Sequence, residues 1–345
     1  MTAAITPRRL GFFTRLLDQT DAAGRYRLAL EQIVHAEGCG FDSAWIAQHH
    51  FHEAEGGLPA PFVFLAHAAA RTTRIRLGTG IVTLPLELPL RVAEDAAVAD
   101  LMSDGRLEVG IGPGGNLSAF KAFGLDPADR HLLMDRNLEL LRTAWSGGAL
   151  PGGDRLYPAS AGLADRLWQA TFTVAGARRA GLAGDGLMLS RTQPRRPEAP
   201  QASLGDIQNP MIDAYLEALP RGRAPRILAS RTIYVADDRK EALRFAEIGL
   251  ARQRQRLAAT RDLASGMLLG DTIRAFDVHI GTPDEVIASL QADPTLERAT
   301  DITMQVHSID PPHPYILRAI ELMAEKVAPA LGWAPALAAG ERRVA

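Results

Sequence analysis

The stretch GFDSAWIAQHHF, residues 40–51, decides the fold because it joins a buried strand to a polar loop. Its centre is apolar and predicts a strand over Phe41–Ala47. Gly40 stands just before that strand and ends a helix that the apolar spacing predicts over Ala22–Glu37. Two adjacent histidines, His49 and His50, follow the strand directly. The stretch therefore predicts a strand whose carboxyl end carries ionisable side chains.

The same alternation of helix and strand continues along the chain. The other strands are predicted at Leu10–Thr14, Ile75–Leu84, Arg106–Ile111, Leu167–Thr171, Leu187–Ser190, Ile227–Val235 and Ile302–Val306. The other helices are predicted at Pro61–Ala70, Leu90–Met102, Pro127–Trp145, Val174–Ala183, Met211–Leu219, Arg239–Leu257, Pro283–Gln291 and Tyr315–Leu331. About eight strands interleaved with helices are typical of a TIM-type (β/α)₈ barrel, although a doubly wound open sheet gives the same alternation.

Two segments interrupt this pattern, so we expect a barrel with insertions. Arg191–Pro210 holds four prolines and shows no periodicity, and we interpret it as an inserted loop. In a barrel it would follow the sixth strand at the catalytic face, where we predict that it acts as a mobile lid. Its arginines, Arg191, Arg195 and Arg196, would bring positive charge near the site. The segment Ala258–Asp277 gives no decisive pattern.

Composition limits the class of protein. The chain has 345 residues, a formal net charge of −2, 47% hydrophobic and 23% charged residues. This balance gives no electrostatic reason to expect nucleic acid or an anionic membrane as a partner. Cys39 is the single cysteine, which excludes an intramolecular disulfide. No signal peptide is recognised and no apolar run approaches the ~18 residues of a membrane span, so we expect a cytoplasmic enzyme.

The histidine pair carries the first chemical signal. Histidine titrates near neutrality and can give or take a proton at working pH, and strand ends face the substrate in a barrel. The alternative is that the two histidines have no catalytic role, with one ring packed in the interior and the other exposed to solvent. His50, His52 and Glu53 could also coordinate zinc, but no further ligand stands in a comparable context. We therefore expect no metal.

A glycine-rich stretch suggests a different cofactor at first sight. Residues 110–115, GIGPGG, fit the pattern GxGxxG after a predicted strand. A dinucleotide-binding fingerprint belongs in the first βα turn and needs an acidic residue about twenty residues later. This stretch lies in mid-chain and is followed by the helix predicted at Pro127–Trp145. We interpret it as a barrel loop, which leaves a nicotinamide dehydrogenase as an alternative.

Seven stretches in order carry a resemblance to a known family. They are residues 40–51, 77–85, 89–95, 100–107, 110–114, 180–186 and 281–286. Together they resemble the bacterial luciferase family of flavin-dependent monooxygenases. The resemblance spans nearly the whole chain and is weakest over residues 191–225 and 258–277. That family usually has Glu-His-His-Phe where this chain has Gln48 before the histidines, so a role for an acid there does not carry over.

The resemblance implies a fold, an activity and partners. It implies a single luciferase-like barrel domain over residues 1–345, with 191–210 as the lid loop. It implies a two-component monooxygenase that receives reduced FMN from a separate NAD(P)H-dependent flavin reductase. One oxygen atom of O₂ would be inserted into a small organic substrate. A deazaflavin-dependent oxidoreductase of the same barrel type and a non-catalytic flavin-binding barrel are the alternatives.

A homodimer is also implied. In luciferase-like barrels the early helices pair across a two-fold axis. Here the helices predicted at Pro61–Ala70 and Leu90–Met102 offer alanine-rich faces that would allow close approach.

The resemblance also assigns site residues. His49 matches the catalytic histidine and would act as general acid or base, with His50 as its neighbour. Phe13 matches an aromatic residue at the flavin ring. Thr79, Gly80 and Ile81 match a segment with a non-proline cis peptide under that ring, a geometry that suits glycine.

The remaining assignments concern the flavin phosphate. Thr173 precedes the helix that begins at Val174 and is a natural N-cap, and a helix N-terminus binds anions. Thr171 lies on the same side. Arg130 matches an arginine that contacts the phosphate in luciferase. A second phosphate arginine of that family falls at Pro113 here, which weakens the expected site.

Overall fold

A parallel sheet closed on itself forms the centre of the protein. The computed structural model describes residues 8–257 and 267–333. The strands are β1 Arg9–Thr14, β2 Ser43–Ile46, β3 Arg76–Thr79, β4 Val82–Thr83, β5 Leu107–Gly112, β6 Leu167–Ala170, β7 Gly186–Leu189, β8 Ile227–Val235, β9 Val278–Gly281 and β10 Asp301–Gln305. The ring closes because β10 pairs in parallel with both β8 and β1. This confirms the predicted (β/α)₈ barrel.

Helices cover the outside of the barrel. They are α1 Ala22–Gly38, α2 Pro61–Ala69, α3 Pro89–Met102, α4 Leu117–Ala122, α5 Arg130–Trp145, α6 Val174–Leu182, α7 Leu204–Ala218, α8 Arg239–Leu257, α9 Leu269–Ala275, α10 Pro283–Gln291, α11 His313–Leu322 and α12 Ala328–Ala330. The sequence sets several starts by local chemistry. Thr282, for example, forms a reciprocal capping box with Glu285 at the start of α10. None of the helices in the described ranges is long and apolar enough to cross a membrane.

The predicted third strand, Ile75–Leu84, is two strands in the structure. β3 ends at Thr79 and β4 begins at Val82, and both lie beside β5. The peptide bond between Gly80 and Ile81, which separates them, is cis, as predicted for this segment. The sequence reasoning missed β9, which pairs with β8 outside the closed ring.

The predicted loop Arg191–Pro210 is wrong in its second half. Helix α7 begins at Leu204, and Pro210 lies inside it. Ser203 and Asp206 form a capping box that satisfies the first backbone N–H groups, and the buried residue Tyr215 anchors the helix. These contacts offset the hydrogen bond that a proline removes. The irregular segment is therefore 191–203, and Arg195 ties it to Asp277 with Nη2 2.6 Å from Oδ2.

Two tryptophans fill the interior of the barrel beneath its carboxyl-terminal mouth. Trp45 on β2 and Trp168 on β6 are fully buried and meet edge to face, with ring centroids 5.7 Å apart. Each ring lies against a glycine of the next strand. A Cβ atom on Gly78 would lie 2.3 Å from Trp45, and one on Gly186 would lie 2.1 Å from Trp168. The tryptophans fit only because these two positions have no side chain.

The packing of Trp45 against Gly78 predicts how a methyl group added at position 78 would change the stability of the protein. Gly78→Ala should lower the free energy of unfolding by about 1–3 kcal/mol or more, because the indole of Trp45 has no free space to enter. Gly38→Ala is the matched control, since a Cβ there would meet no atom within 4 Å. Urea denaturation of both variants measures the difference. Equal stability of the two would show that the interior can relax around the added group.

Candidate functional site

A cleft opens at the carboxyl ends of the barrel strands, where active sites of such barrels lie. It has two joined parts. The histidine pocket contains His49 and has a volume of about 310 Å³. The apolar pocket contains Thr171, Met188 and Leu228 and has a volume of about 240 Å³. The two share a wall made of Phe13, Gly80, Ile81, Gly114, Gly115, Phe172, Ser190 and Gln305.

His49 is held between a cation and an anion. Nη2 of Arg15 lies 3.2 Å from Nε2 of His49, so the arginine donates and Nε2 accepts. Nδ1 of His49 then carries the proton and faces Oε2 of Glu55 at 3.7 Å. Burial lowers the pKa of His49, Glu55 opposes this shift, and the charge of Arg15 adds to it. His49 is therefore neutral at neutral pH and can accept a proton.

His50 has a different environment. Its ring packs edge-on against Phe123, with centroids 5.1 Å apart, and contacts Phe51. Burial, with a smaller contribution from the charge of His49, lowers the pKa of His50. Its Nε2 is buried and has no hydrogen-bond partner among the described residues. His50 lines the histidine pocket and offers an unused polar atom.

Of the candidate zinc ligands His50, His52 and Glu53, His52 is engaged in another contact. Its Nε2 lies 2.8 Å from the hydroxyl of Ser118. Among residues 8–257 and 267–333, no three His, Cys, Asp or Glu side chains are grouped closely enough to hold a metal ion.

The contacts of Gln48 explain why a glutamine stands where the family usually has a glutamate. Its side-chain amide donates to Oε1 of Glu87 at 2.6 Å and to the carbonyl of Pro59 at 3.1 Å. Its side-chain carbonyl accepts from the backbone N–H of Thr83 at 2.7 Å. Burial already raises the pKa of Glu87. A glutamate at position 48 would place a second carboxylate against Glu87, and the neutral amide avoids that repulsion.

Gln48→Glu should therefore destabilise the protein by about 1–3 kcal/mol at pH 7. The two facing carboxylates would raise the pKa of the pair in the folded state above its unfolded value. The loss of stability should be complete at pH values above that raised pKa, and it should become smaller as the pH falls through the raised pKa. Urea denaturation at pH 7 and pH 5 measures this, with Gln201→Glu in an exposed turn as the control. A loss that is equal at both pH values would contradict the assignment.

The structure brings most of the predicted flavin-ring residues together. Phe13, Gly80 and Ile81 all line both parts of the cleft. A Cβ atom on Gly80 would lie 2.5 Å from the ring of Phe13, so only glycine fits there. Thr79 is fully buried below this wall. Its hydroxyl exchanges hydrogen bonds with the backbone of Gly110, which ties β3 to β5.

The predicted phosphate residues are only partly brought together. Thr171 lines the apolar pocket, and the hydroxyl of Thr173 accepts from the N–H of Gly176 at 3.0 Å, which confirms it as the N-cap of α6. Val174 is exposed at the first position of that helix. Arg130 opens α5, donates to a backbone carbonyl of its own turn, and is not part of the cleft wall. Its contact with a phosphate stays a prediction.

Sequence reasoning missed two residues of the cleft, Arg15 and Gln305, and also missed Glu55, which contacts His49 without lining the cleft. Arg15 and Glu55, the partners of His49, lie in the loops after β1 and β2. Gln305 ends β10, donates to the hydroxyl of Ser230 at 2.9 Å, and leaves its buried Oε1 without a partner. The rule that strand ends build the site would have found Arg15 and Gln305. Nothing in the sequence indicates that Glu55 turns back toward His49.

Known families and relatives match this chain. The family model described as luciferase-like monooxygenase matches residues 10–294. Limonene 1,2-monooxygenase of Rhodococcus erythropolis is 36% identical over 121 residues, 34% of this chain and 30% of that protein. The alkanal monooxygenase alpha chain of the Kryptophanaron alfredi symbiont is 40% identical over 100 residues, 29% of this chain and 28% of that protein. The matches span about a third of these curated relatives.

Solved structures match over greater lengths. Monooxygenase RslO1 from Streptomyces bottropensis has a TM-score of 0.76 and 29% identity, covering 94% of this chain and 99% of that one. The FMN-bound oxygenating constituent of 3,6-diketocamphane monooxygenase from Pseudomonas putida has a TM-score of 0.75 and 19% identity, covering 94% and 98%. An F420-dependent secondary alcohol dehydrogenase has a TM-score of 0.70 and 19% identity, covering 94% and 99%. At 19% identity the likeness shows the fold alone.

Proposed function

The chain belongs to the luciferase-like monooxygenase family, and we propose that it is an FMN-dependent two-component monooxygenase. It would take reduced FMN from a separate NAD(P)H-dependent flavin reductase and insert one oxygen atom of O₂ into a small organic substrate. One observation carries this proposal: a neutral His49, held by Arg15 and Glu55, faces the same cleft as the Gly80–Ile81 wall.

The cleft fits a flavin ring by the chemistry of its walls. A flavin ring has flat apolar faces and an edge of N–H and C=O groups. Phe13 and Ile81 supply apolar surface between the two parts of the cleft. The partnerless Oε1 of Gln305 is an acceptor that a ring N–H would satisfy. A buried polar atom without a hydrogen-bond partner destabilises the ligand-free protein. A ligand that forms a hydrogen bond with this atom therefore gains affinity.

The phosphate would lie at the start of α6. Thr171 lines the cleft there, and the first N–H groups of the helix offer donors to an anion. Val174 supplies one of these N–H groups. Arg130 would join the site if its side chain left its present hydrogen bond to the carbonyl of Pro127, just before α5.

When bound, reduced flavin supplies the electrons that activate O₂. The residues of the chain then have three tasks. Arg15 fixes the tautomer of His49 by donating to Nε2, and His49 takes a proton at that atom when the arginine releases it. Buried walls such as Phe13 exclude water from the reacting groups. Binding at a fixed place orients the substrate toward the flavin.

FMN is favoured over a deazaflavin coenzyme by the His-His-Phe sequence at residues 49–51, which is part of the resemblance to the flavin-dependent monooxygenases. An intact His49 with both of its partners in place also disfavours a non-catalytic flavin-binding barrel.

His49→Gln should lower oxygen insertion by about 10²–10⁴-fold and leave FMN binding within about twofold, since it removes proton transfer alone. The measurement uses photoreduced FMN, ¹⁸O₂ and a panel of aldehydes and ketones, with mass spectrometry of the products. His67→Gln, an exposed histidine on α2, is the control. Undiminished label transfer by His49→Gln would reject the role of His49. Absence of label with wild-type protein across the panel, together with absence of FMN binding, would reject the function.

We also propose that the protein is a homodimer through α2 and α3. Both helices carry large apolar side chains that are more than half exposed: Val63 on α2, and Leu101 and Met102 on α3. Burial of such a patch against a second copy would stabilise the pair. A monomer by light scattering at micromolar concentration would contradict this.

Segment 191–203 as a mobile lid is a further proposal, supported by the fact that Arg191 and Thr192 line the histidine pocket. Its contacts with Asp277 indicate that any opening must break an ion pair. Limited proteolysis with and without FMN measures this. Cleavage that is unaffected by FMN would contradict a lid.

A further inference from the structure

A buried guanidinium lies in the histidine pocket, where its hydrogen-bond partners are neutral hydroxyl groups. Arg191 follows β7, lines this pocket, and is 6% exposed. Its Nη1 donates to the hydroxyls of Thr232 at 3.1 Å and Ser308 at 3.3 Å. No ion pair of the described residues includes Arg191, and its other nitrogens have no protein acceptor among them. A buried cation whose hydrogen bonds go to neutral hydroxyl groups is costly, so its presence calls for a function.

The pocket around Arg191 is positive. Arg15 lines the same space, whereas the described residues that line either part of the cleft include no aspartate or glutamate. Burial lowers the pKa of Arg191 to about 9, the charge of Arg15 acts in the same direction, and the carboxylates of Asp310 and Asp277 oppose the shift more weakly. Arg191 is therefore still charged at neutral pH. An anion placed between the two guanidinium groups would relieve their repulsion.

We propose that Arg191 binds an anionic group of the substrate, a carboxylate or a sulfonate. This inference rests on the function proposed above and names the substrate class for that site. The free edge of a guanidinium matches both oxygens of such a group. The remaining walls indicate the rest of the substrate: Leu86, Ala119 and Phe172 are apolar. The substrate is a small organic anion with an apolar body.

The position of Arg191 separates this anion from the flavin phosphate. Arg191 lines the histidine pocket only, with His49. Thr171, at the proposed phosphate end, lines the apolar pocket only. The shared wall at Gly80 and Ile81, where the ring is proposed, lies between them. An anion on Arg191 is thus on the His49 side of the ring, where the substrate would react.

Calorimetric titration with octanoate, octanesulfonate and 1-octanol tests this, with and without saturating oxidised FMN. Wild-type protein should bind both anions about tenfold or more tightly than the alcohol, because a hydrogen bond to a charged group is lost with the alcohol. Equal binding of octanol and octanoate by the wild-type protein would overturn the proposal, whatever the variants do.

Arg191→Gln should abolish the preference for the anions, and Arg191→Lys should keep part of it. Arg221→Gln, in an exposed turn, removes the same charge and should change nothing. FMN affinity is measured in parallel. If Arg191→Gln weakens FMN tenfold and spares octanoate, the arginine holds the phosphate and the proposal is overturned. If wild-type protein binds no FMN, the proposed function fails, while the anion preference of the cofactor-free protein still supports or rejects this inference.

Discussion

The packing of two indoles inside the barrel is the constraint on which the rest of the structure depends. An eight-stranded barrel is just wide enough for side chains to fill it. Trp45 and Trp168 occupy this space, and Trp168 also donates its N–H to Glu108 at 2.8 Å. Two residues further along the same strands stand Ala47 and Ala170, which line the cleft. Large residues below and small residues above leave room for a ligand at the carboxyl ends of the strands.

The cleft collects side chains that no single segment of the chain could bring together. Arg15 follows β1, His49 follows β2, Arg191 follows β7, and Gln305 ends β10. The barrel converts these distant positions into one lining because all its strands run in parallel and end on the same face. Within the described part of the chain, the same lining combines apolar walls with two cations, Arg15 and Arg191, and no carboxylate. That combination supports both a flavin ring against the Gly80–Ile81 wall and an anionic substrate beside it.

Periodicity and strand-end reasoning predict much of this architecture from sequence. Strand β8 and helices α8 and α10 have the predicted bounds, and the histidine pair lies at the mouth of the barrel. The start of α7 was missed because a capping box and a buried face outweigh an internal proline, Pro210. Glu55 was missed because its approach to His49 depends on how a loop folds back, which apolar spacing does not encode. Gln48 was identified as a departure from the family, but its pairing with Glu87 depends on tertiary structure.

The central claim is that one cleft holds FMN beside His49, and a crystal structure of the protein soaked with FMN tests it most directly. The account predicts the ring against the Gly80–Ile81 wall, between the two parts of the cleft, with the phosphate at Thr171 and the start of α6. Density for the phosphate at Arg191, or for the ring outside this cleft, would contradict it.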